Sequence, residues 1–143
     1  MNDGRVWVFF YGLFMDFEIL RRYGLEPERW QVAKLPGYDI RIAARGNLVP
    51  SDRHSVYGLL VAATHEALAR LYDKSNSTLT TQYFPEAVLV EAADGGWVPA
   101  LCYVAPPADG GGVNADYVNG LVELAQRFGF PRWYVERLES FRK

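Results

Sequence analysis

The chain has 143 residues, of which 50% are hydrophobic and 15% aromatic, and its formal net charge is -2. This length and composition predict one folded domain, residues 1–143, with an ample core, and they argue against intrinsic disorder. The sequence has no long basic run and its charge is close to neutral, so it offers no electrostatic footprint for nucleic acid.

The cysteine and histidine counts narrow the class of protein further. The single cysteine, Cys102, rules out a disulfide framework, and its apolar surroundings favour a core thiol over a nucleophile. One cysteine and two separated histidines cannot form a zinc site. The polar start of the chain differs from a signal peptide, and no apolar run reaches the ~20 residues that span a bilayer. We therefore expect a cytoplasmic protein without a metal site or a membrane partner.

The N-terminal part of the chain predicts a strand, a helix and an extended region. The apolar run of residues 5–12 ends at Gly12, which is typical of a buried strand. In the helix that follows, Asp16 is the expected N-cap and Gly24 is the residue that ends it. Residues 31–44 alternate in polarity and fit either two short strands or one bent strand.

The middle of the chain predicts two polar connections around a strand and a helix. Residues 45–54 contain several turn-forming residues and are expected to be a loop. The apolar run 55–62 predicts a strand, and Thr64 is the expected N-cap of the helix after it. Residues 74–81 are polar throughout, so we expect a second loop there.

The C-terminal part predicts a β-hairpin followed by two helices. Strands over 82–92 and 97–104 flank a turn at Asp94-Gly95-Gly96. A glycine-rich connection leads to an amphipathic helix over 114–128, and Pro131 opens the last helix. This order of elements predicts an α+β fold: a small mixed, mostly antiparallel β-barrel or a strongly bent sheet, with flanking helices.

Four short stretches occur in a fixed order along almost the whole chain. They are Tyr11-Gly12, Leu35-Pro36-Gly37-Tyr38 with the later Val56-Tyr57-Gly58, Leu71-Tyr72-Asp73 with Tyr83, and Tyr117 with Gly129-Phe130-Pro131. The pattern resembles the γ-glutamylcyclotransferase family, which includes γ-glutamylamine cyclotransferases and plant avirulence-induced relatives. The resemblance implies a small γ-glutamyl-like ligand and no cofactor. It also implies a reaction in which the substrate's α-amine attacks its own γ-carbonyl, which forms 5-oxoproline and releases an amine.

The resemblance places the ligand in the loop that follows the first strand. Gly12 lets the chain turn tightly, and the backbone N–H groups of Leu13 and Phe14 are the expected donors to a carboxylate or an oxyanion. Tyr11, Tyr57 and Tyr83 are further expected substrate-binding residues. Each of these side chains has an alternative interpretation as an ordinary core residue.

The resemblance also leaves the general base of the reaction open. Ser75 stands four residues after Leu71, where the family has its catalytic glutamate, and a serine hydroxyl is too weak a base to deprotonate an ammonium unaided. Glu86 is the expected replacement, since strand alternation places it with Val88 on the face that we expect to point into the barrel. Asp73 and Asp16 are weaker candidates, because a helix-end surface position and an N-cap explain them.

Three hypotheses about function follow from these residues. The first is an enzyme of the cyclotransferase type, and the second is a catalytically inactive ligand-binding or regulatory module on the same fold. A third, with Ser75 as a nucleophile, lacks a nearby histidine and a Gly-x-Ser-x-Gly motif. The sequence does not specify the oligomeric state.

Overall fold

A computed structural model describes residues 4–43, 45–76, 83–105 and 112–142. The strands are β1 (Arg5–Phe10), β2 (Trp30–Ile42), β3 (Gly46–Thr64), β4 (Phe84–Ala92) and β5 (Trp97–Val104). The helices are α1 (Phe17–Arg22), α2 (His65–Asn76), α3 (Ala115–Arg127) and α4 (Arg132–Glu139), with short 3-10 turns at Leu13–Met15 and Ser140–Arg142.

The strands form a closed barrel in the order β1-β3-β2-β4-β5. Four of the neighbouring pairs are antiparallel, and the barrel closes through a parallel contact of β1 with β5, in which Val8 pairs with Leu101. The predicted α+β fold with a small, mostly antiparallel barrel is confirmed. Because closure pairs β1 with β5, these two strands leave no free sheet edge where they meet.

Strands β2 and β3 form a ribbon that is longer than the sequence predicts. Residues 31–42 belong to one bent strand, whose register shifts beside Gly37, a glycine with a φ of +88°. The predicted loop at 45–54 is wrong, because residues 46–54 belong to β3 and the first of them pair with residues 38–42 of β2. The side chains of residues 52–54 are exposed. Their polarity therefore reflects a solvent-facing strand, which sequence patterning does not separate from a loop.

The predicted helix starts are confirmed. The Asp16 carboxylate accepts a hydrogen bond from the Glu18 N–H (3.0 Å), and the Thr64 hydroxyl accepts one from the Ala67 N–H (3.1 Å). At the other end, α2 continues to Asn76, so the predicted loop over 74–81 begins too early, and its residues 77–81 lie outside the described residues.

The core lies inside the barrel and between the barrel and the C-terminal helices. Residues of β1 and β3 such as Val8, Leu60 and Val61 have no exposed surface, and Leu121 and Leu138 bring α3 and α4 into the same cluster. Cys102 is fully buried here, and burial raises its thiol pKa to about 12. The thiol is therefore protonated at neutral pH, as expected of a core cysteine and not of a nucleophile.

Candidate functional site

A cavity of about 250 Å³ opens where β1 runs into the Gly12 loop. Five of the residues that the sequence predicts for ligand binding line it together: Tyr11, Gly12, Leu13, Phe14 and Tyr83. The first four are consecutive in the chain, whereas Tyr83 immediately precedes β4 and reaches the same space. A size of this order suits a small molecule rather than a polymer.

Tyr57 lies elsewhere. Its ring packs against Phe130, Trp133 and Tyr134, with centroid distances of 5.7, 5.9 and 5.3 Å, and it is not among the residues that line the cavity. Tyr57 therefore fastens β3 to the start of α4. A tyrosine in a strand can either line a cavity or pack against a helix, and the sequence alone does not distinguish these two positions.

The two main candidate bases, Glu86 and Ser75, lie in different parts of the structure. Glu86 is exposed and lines a second, separate depression together with Tyr38 and Pro50. It pairs across the hairpin with Cys102, which is fully buried, and alternation places it on the same face of β4 as the buried Val90, but its own side chain is exposed. Ser75 belongs to the last turn of α2, three residues after Tyr72, which does line the cavity.

Asp16 and Asp73, the two weaker candidate bases, lie where their structural interpretations place them. Asp16 is the N-cap of α1, and Asp73 is exposed near the end of α2. Among the described residues that line the cavity, none carries a carboxylate. The described wall therefore supplies no strong base for a substrate ammonium.

The Tyr117 hydroxyl fills the space between two glycines at the base of the cavity. A Cβ atom at Gly12 would lie 2.6 Å from this oxygen, and one at Gly46 would lie 2.7 Å from it. Burial raises the pKa of Tyr117 to about 12, although backbone hydrogen bonds from Gly46 and Leu13 act in the opposite direction. The hydroxyl is therefore neutral at pH 7.

The other tyrosines form neutral aromatic walls. The Tyr11 hydroxyl donates to the carbonyl of Tyr103 (2.8 Å), and the Tyr83 hydroxyl donates to the carbonyl of Gly46 (2.6 Å). Tyr72 stacks on Tyr103, with ring centroids 3.7 Å apart and planes 10° apart. Burial raises the pKa of Tyr11 and Tyr72 well above the ordinary value, so these walls carry no charge at neutral pH.

Two arginines, Arg22 and Arg45, also line the cavity. Arg45 is half-buried, and its positive charge favours the ionised forms of Tyr83 and Tyr117 and so lowers their pKa, against the larger effect of burial. Within the described residues, neither guanidinium forms an ion pair. The described lining is thus positively charged.

Sequence reasoning missed several of these lining residues. They are Arg22, Tyr23, Arg45, Tyr72, Tyr103 and Tyr117. They come from α1, α2, α3, β5 and the β2–β3 connection, and only the closed barrel brings them together. Tyr72 and Tyr117 do stand in the stretches that carry the family resemblance, which is the one signal that pointed to them.

The described part of the chain contains no group of three or more His, Cys, Asp or Glu side chains that could hold a metal ion. None of its helices is both long enough and apolar enough to cross a membrane.

Solved structures of other proteins share this fold. Among solved structures, a γ-glutamyl cyclotransferase superposes with a TM-score of 0.72 at 19% identity, over 95% of this chain and 87% of that one. A glutathione-specific γ-glutamyl cyclotransferase from yeast gives 0.66 at 12% identity, over 97% and 96% of the two chains. YkqA from Bacillus subtilis gives 0.76 at 21% identity, over 97% of this chain and 54% of that one.

At the level of sequence, no curated protein matches the chain. The model of the AIG2-like family matches residues 55–138, which is more than half of the chain. This match and the shared fold confirm the resemblance on which the site was predicted. The chain belongs to the AIG2-like family, and it shares its fold with γ-glutamyl cyclotransferases.

Proposed function

We propose that the protein binds a small γ-glutamyl compound in the Gly12 cavity and cyclises it to 5-oxoproline with release of an amine or an amino acid. One observation carries the proposal: in a chain of this family, the segment from Tyr11 to Phe14 lines a cavity of ligand size. The aromatic walls support it, since they exclude water and so favour attack by the substrate's own amine.

In the proposed reaction, the α-amine nitrogen bonds to the γ-carbonyl carbon and the bond from that carbon to the leaving nitrogen breaks. The attacking nitrogen loses a proton and the leaving nitrogen gains one, so no co-reactant is consumed. The loop N–H groups at Leu13 and Phe14 are the proposed donors to the developing oxyanion.

The proposed reaction also needs a group that carries a proton from the attacking nitrogen to the leaving nitrogen. Ser75 occupies the family's glutamate position in sequence, and α2 brings that turn close to the cavity through Tyr72. Glu86 remains the proposed replacement base, although reaching the ligand requires it to leave its exposed position in the second depression. General acid–base catalysis is typically worth about 10²–10⁴ in rate, so its loss would leave a slow reaction.

A second candidate function is ligand binding without turnover. The observation that favours it is the absence of a carboxylate among the described residues that line the cavity. On this view the chain is a binding or regulatory module that keeps the family's ligand site. Its signature is saturable binding of a γ-glutamyl compound that is recovered unchanged.

The two candidates are separated by incubating the protein with γ-glutamyl dipeptides, γ-glutamylamines and glutathione and measuring 5-oxoproline by mass spectrometry. The enzyme proposal expects 5-oxoproline from at least one of them, with a lower rate in Glu86→Gln if Glu86 is the base. The binding module expects none from the wild type and a gain in Ser75→Glu. Absence of both product and binding for every compound would exclude both candidates.

A further inference from the structure

The charged residues in the described lining of the cavity are all positive. Arg22 lies in the last turn of α1 and Arg45 lies just before β3, so two separate segments each bring one guanidinium to the same space. The neighbouring Arg21 differs, because it pairs with Glu18 (3.5 Å) and Glu26 (2.9 Å) and does not line the cavity. The chain thus neutralises one arginine at this helix end and leaves the next one facing the cavity.

The surroundings of the arginines strengthen their effect on a ligand. The described lining has no carboxylate to neutralise them, and the walls beside them include Phe10, Phe14 and Tyr72. Such apolar and aromatic walls lower the local dielectric constant around the half-buried Arg45 and focus its field into the cavity, whereas Arg22 is exposed and adds its charge from the solvent side. Arg45, which is half-buried, is less screened by salt than a surface arginine.

We propose that Arg22 and Arg45 are specificity-determining residues that select a ligand with net negative charge. Resting on the proposed function, this names the substrate class as γ-glutamyl amino acids or peptides rather than γ-glutamylamines. Both classes carry the α-carboxylate and the α-ammonium of the glutamyl group, whose charges cancel. The amino acid or peptide adds a second carboxylate and so carries one net negative charge, whereas a γ-glutamylalkylamide carries none.

Calorimetric titration with three probes tests this inference: γ-glutamylalanine, γ-glutamylethylamide and glutarate, which has two carboxylates and no amine. We expect γ-glutamylalanine to bind at least about tenfold more tightly than γ-glutamylethylamide, as one charge-assisted hydrogen bond provides. Arg22→Gln and Arg45→Gln should each reduce this preference, and so should raised salt. Arg21→Gln is the matched control and should keep it, because Arg21 is ion-paired outside the cavity.

The outcomes separate this inference from the proposed function. Equal affinity for the two γ-glutamyl compounds would overturn charge selection and leave a γ-glutamyl site standing. Binding of glutarate alone, weakened in Arg22→Gln and Arg45→Gln, would support charge selection and overturn the γ-glutamyl function. An unchanged preference in both variants, with native circular dichroism spectra, would also overturn the inference, and binding of none of the probes would overturn both proposals.

Discussion

Gly12 and Gly46 are needed at the base of the cavity for a steric reason. Gly12 has a φ of -119°, which other residues adopt readily, so its backbone does not require glycine. What requires it is the Tyr117 hydroxyl, 2.6 Å from the position that a Cβ would take. The same oxygen closes the space at Gly46, so one side chain of α3 explains both the glycine after β1 and the glycine that begins β3.

This geometry predicts that the effect of one substitution is rescued by another. Gly12→Ala should lower the free energy of unfolding by about 1–3 kcal/mol through overpacking and should weaken ligand binding. Tyr117→Phe removes the atom that the new methyl group meets, so the double variant should regain most of the loss, in a double-mutant cycle measured by urea unfolding. Additive effects of the two substitutions would contradict the steric explanation.

A glycine in α3 offers the matched control for this cycle. A Cβ at Gly120 would meet only the Leu13 side chain, at 3.4 Å, and alanine is the better helix former by about 1 kcal/mol. Gly120→Ala should therefore leave stability unchanged or raise it.

At the scale of elements, α3 positions Tyr117 through its first turn. The Asn114 side chain accepts hydrogen bonds from the N–H groups of Asp116 (3.0 Å) and Tyr117 (3.2 Å), and its own N–H donates to the carbonyl of Ala43 (2.9 Å). The N-cap therefore joins the helix to the connection that carries Arg45 and leads into Gly46 at the start of β3. Capping of α3 and the shape of the cavity are linked through these contacts.

We predict that Asn114→Ala lowers the free energy of unfolding by about 1 kcal/mol, as loss of an N-cap does. It should also weaken binding in the cavity, because Tyr117 loses its fixed position. The cap of α2 provides the comparison, since Thr64→Ala should cost a similar stability without the loss of binding. The prediction fails if calorimetry finds the same affinity in both variants.

A second link between elements is an ion cluster that joins β2 to α4. Asp39 is only 4% exposed, and its carboxylate accepts hydrogen bonds from Arg41 and from Arg137 (2.8 Å). Burial alone would raise the pKa of this carboxyl, but the two arginines outweigh burial and hold the pKa below its ordinary value. Its ionised form thus stabilises the folded state.

The sign of the pKa shift sets the pH range of this contribution. Because the folded-state pKa is depressed, the stabilisation is complete above the unfolded-state pKa of about 3.9 and is lost as the pH falls through the folded-state pKa. Asp39→Asn should cost about 2 kcal/mol in urea unfolding at pH 7 and less at pH 3. Glu139→Gln, which breaks a more exposed pair with Arg142, should cost under about 1 kcal/mol at pH 7. An equal cost of Asp39→Asn at both pH values would contradict this explanation.

At the scale of the whole molecule, local patterns predict the elements better than they predict the site. Strand β1, the caps at Asp16 and Thr64 and the hairpin after β4 all follow from neighbouring residues. The first part of β3 does not, because its solvent-facing polar residues follow the same pattern as a loop.

The cavity depends on contacts that a local pattern does not contain. Arg45 and Tyr117 are far apart in sequence, and only barrel closure and the docking of α3 bring both of them to the Gly12 loop. A tyrosine in a core this aromatic has the same sequence signature whether it lines a cavity or fills the core, as Tyr83 and Tyr57 illustrate. The family resemblance pointed to the Gly12 loop from the sequence. The residues on the other side of the cavity, such as Arg45, could be identified only from the folded structure.

The barrel itself depends on one close approach between strands. A Cβ at Gly58 in β3 would collide with the backbone oxygen of Phe10 in β1 and would lie 2.8 Å from the ring of Phe9. Backbone in a paired strand cannot move aside as the end of a flexible side chain can. We therefore expect Gly58→Ala to lower the free energy of unfolding by about 3 kcal/mol or to prevent folding.

The control for the barrel is Gly112→Ala, since a Cβ at Gly112 meets nothing within 4 Å. Its effect should stay within about 0.5 kcal/mol in thermal unfolding followed by circular dichroism. Phe9→Leu in the Gly58→Ala background tests which contact dominates, because it shortens the ring and leaves the Phe10 oxygen in place. If the backbone contact dominates, Phe9→Leu will not restore stability. Full recovery would show instead that the ring alone holds β1 away from an alanine at this position.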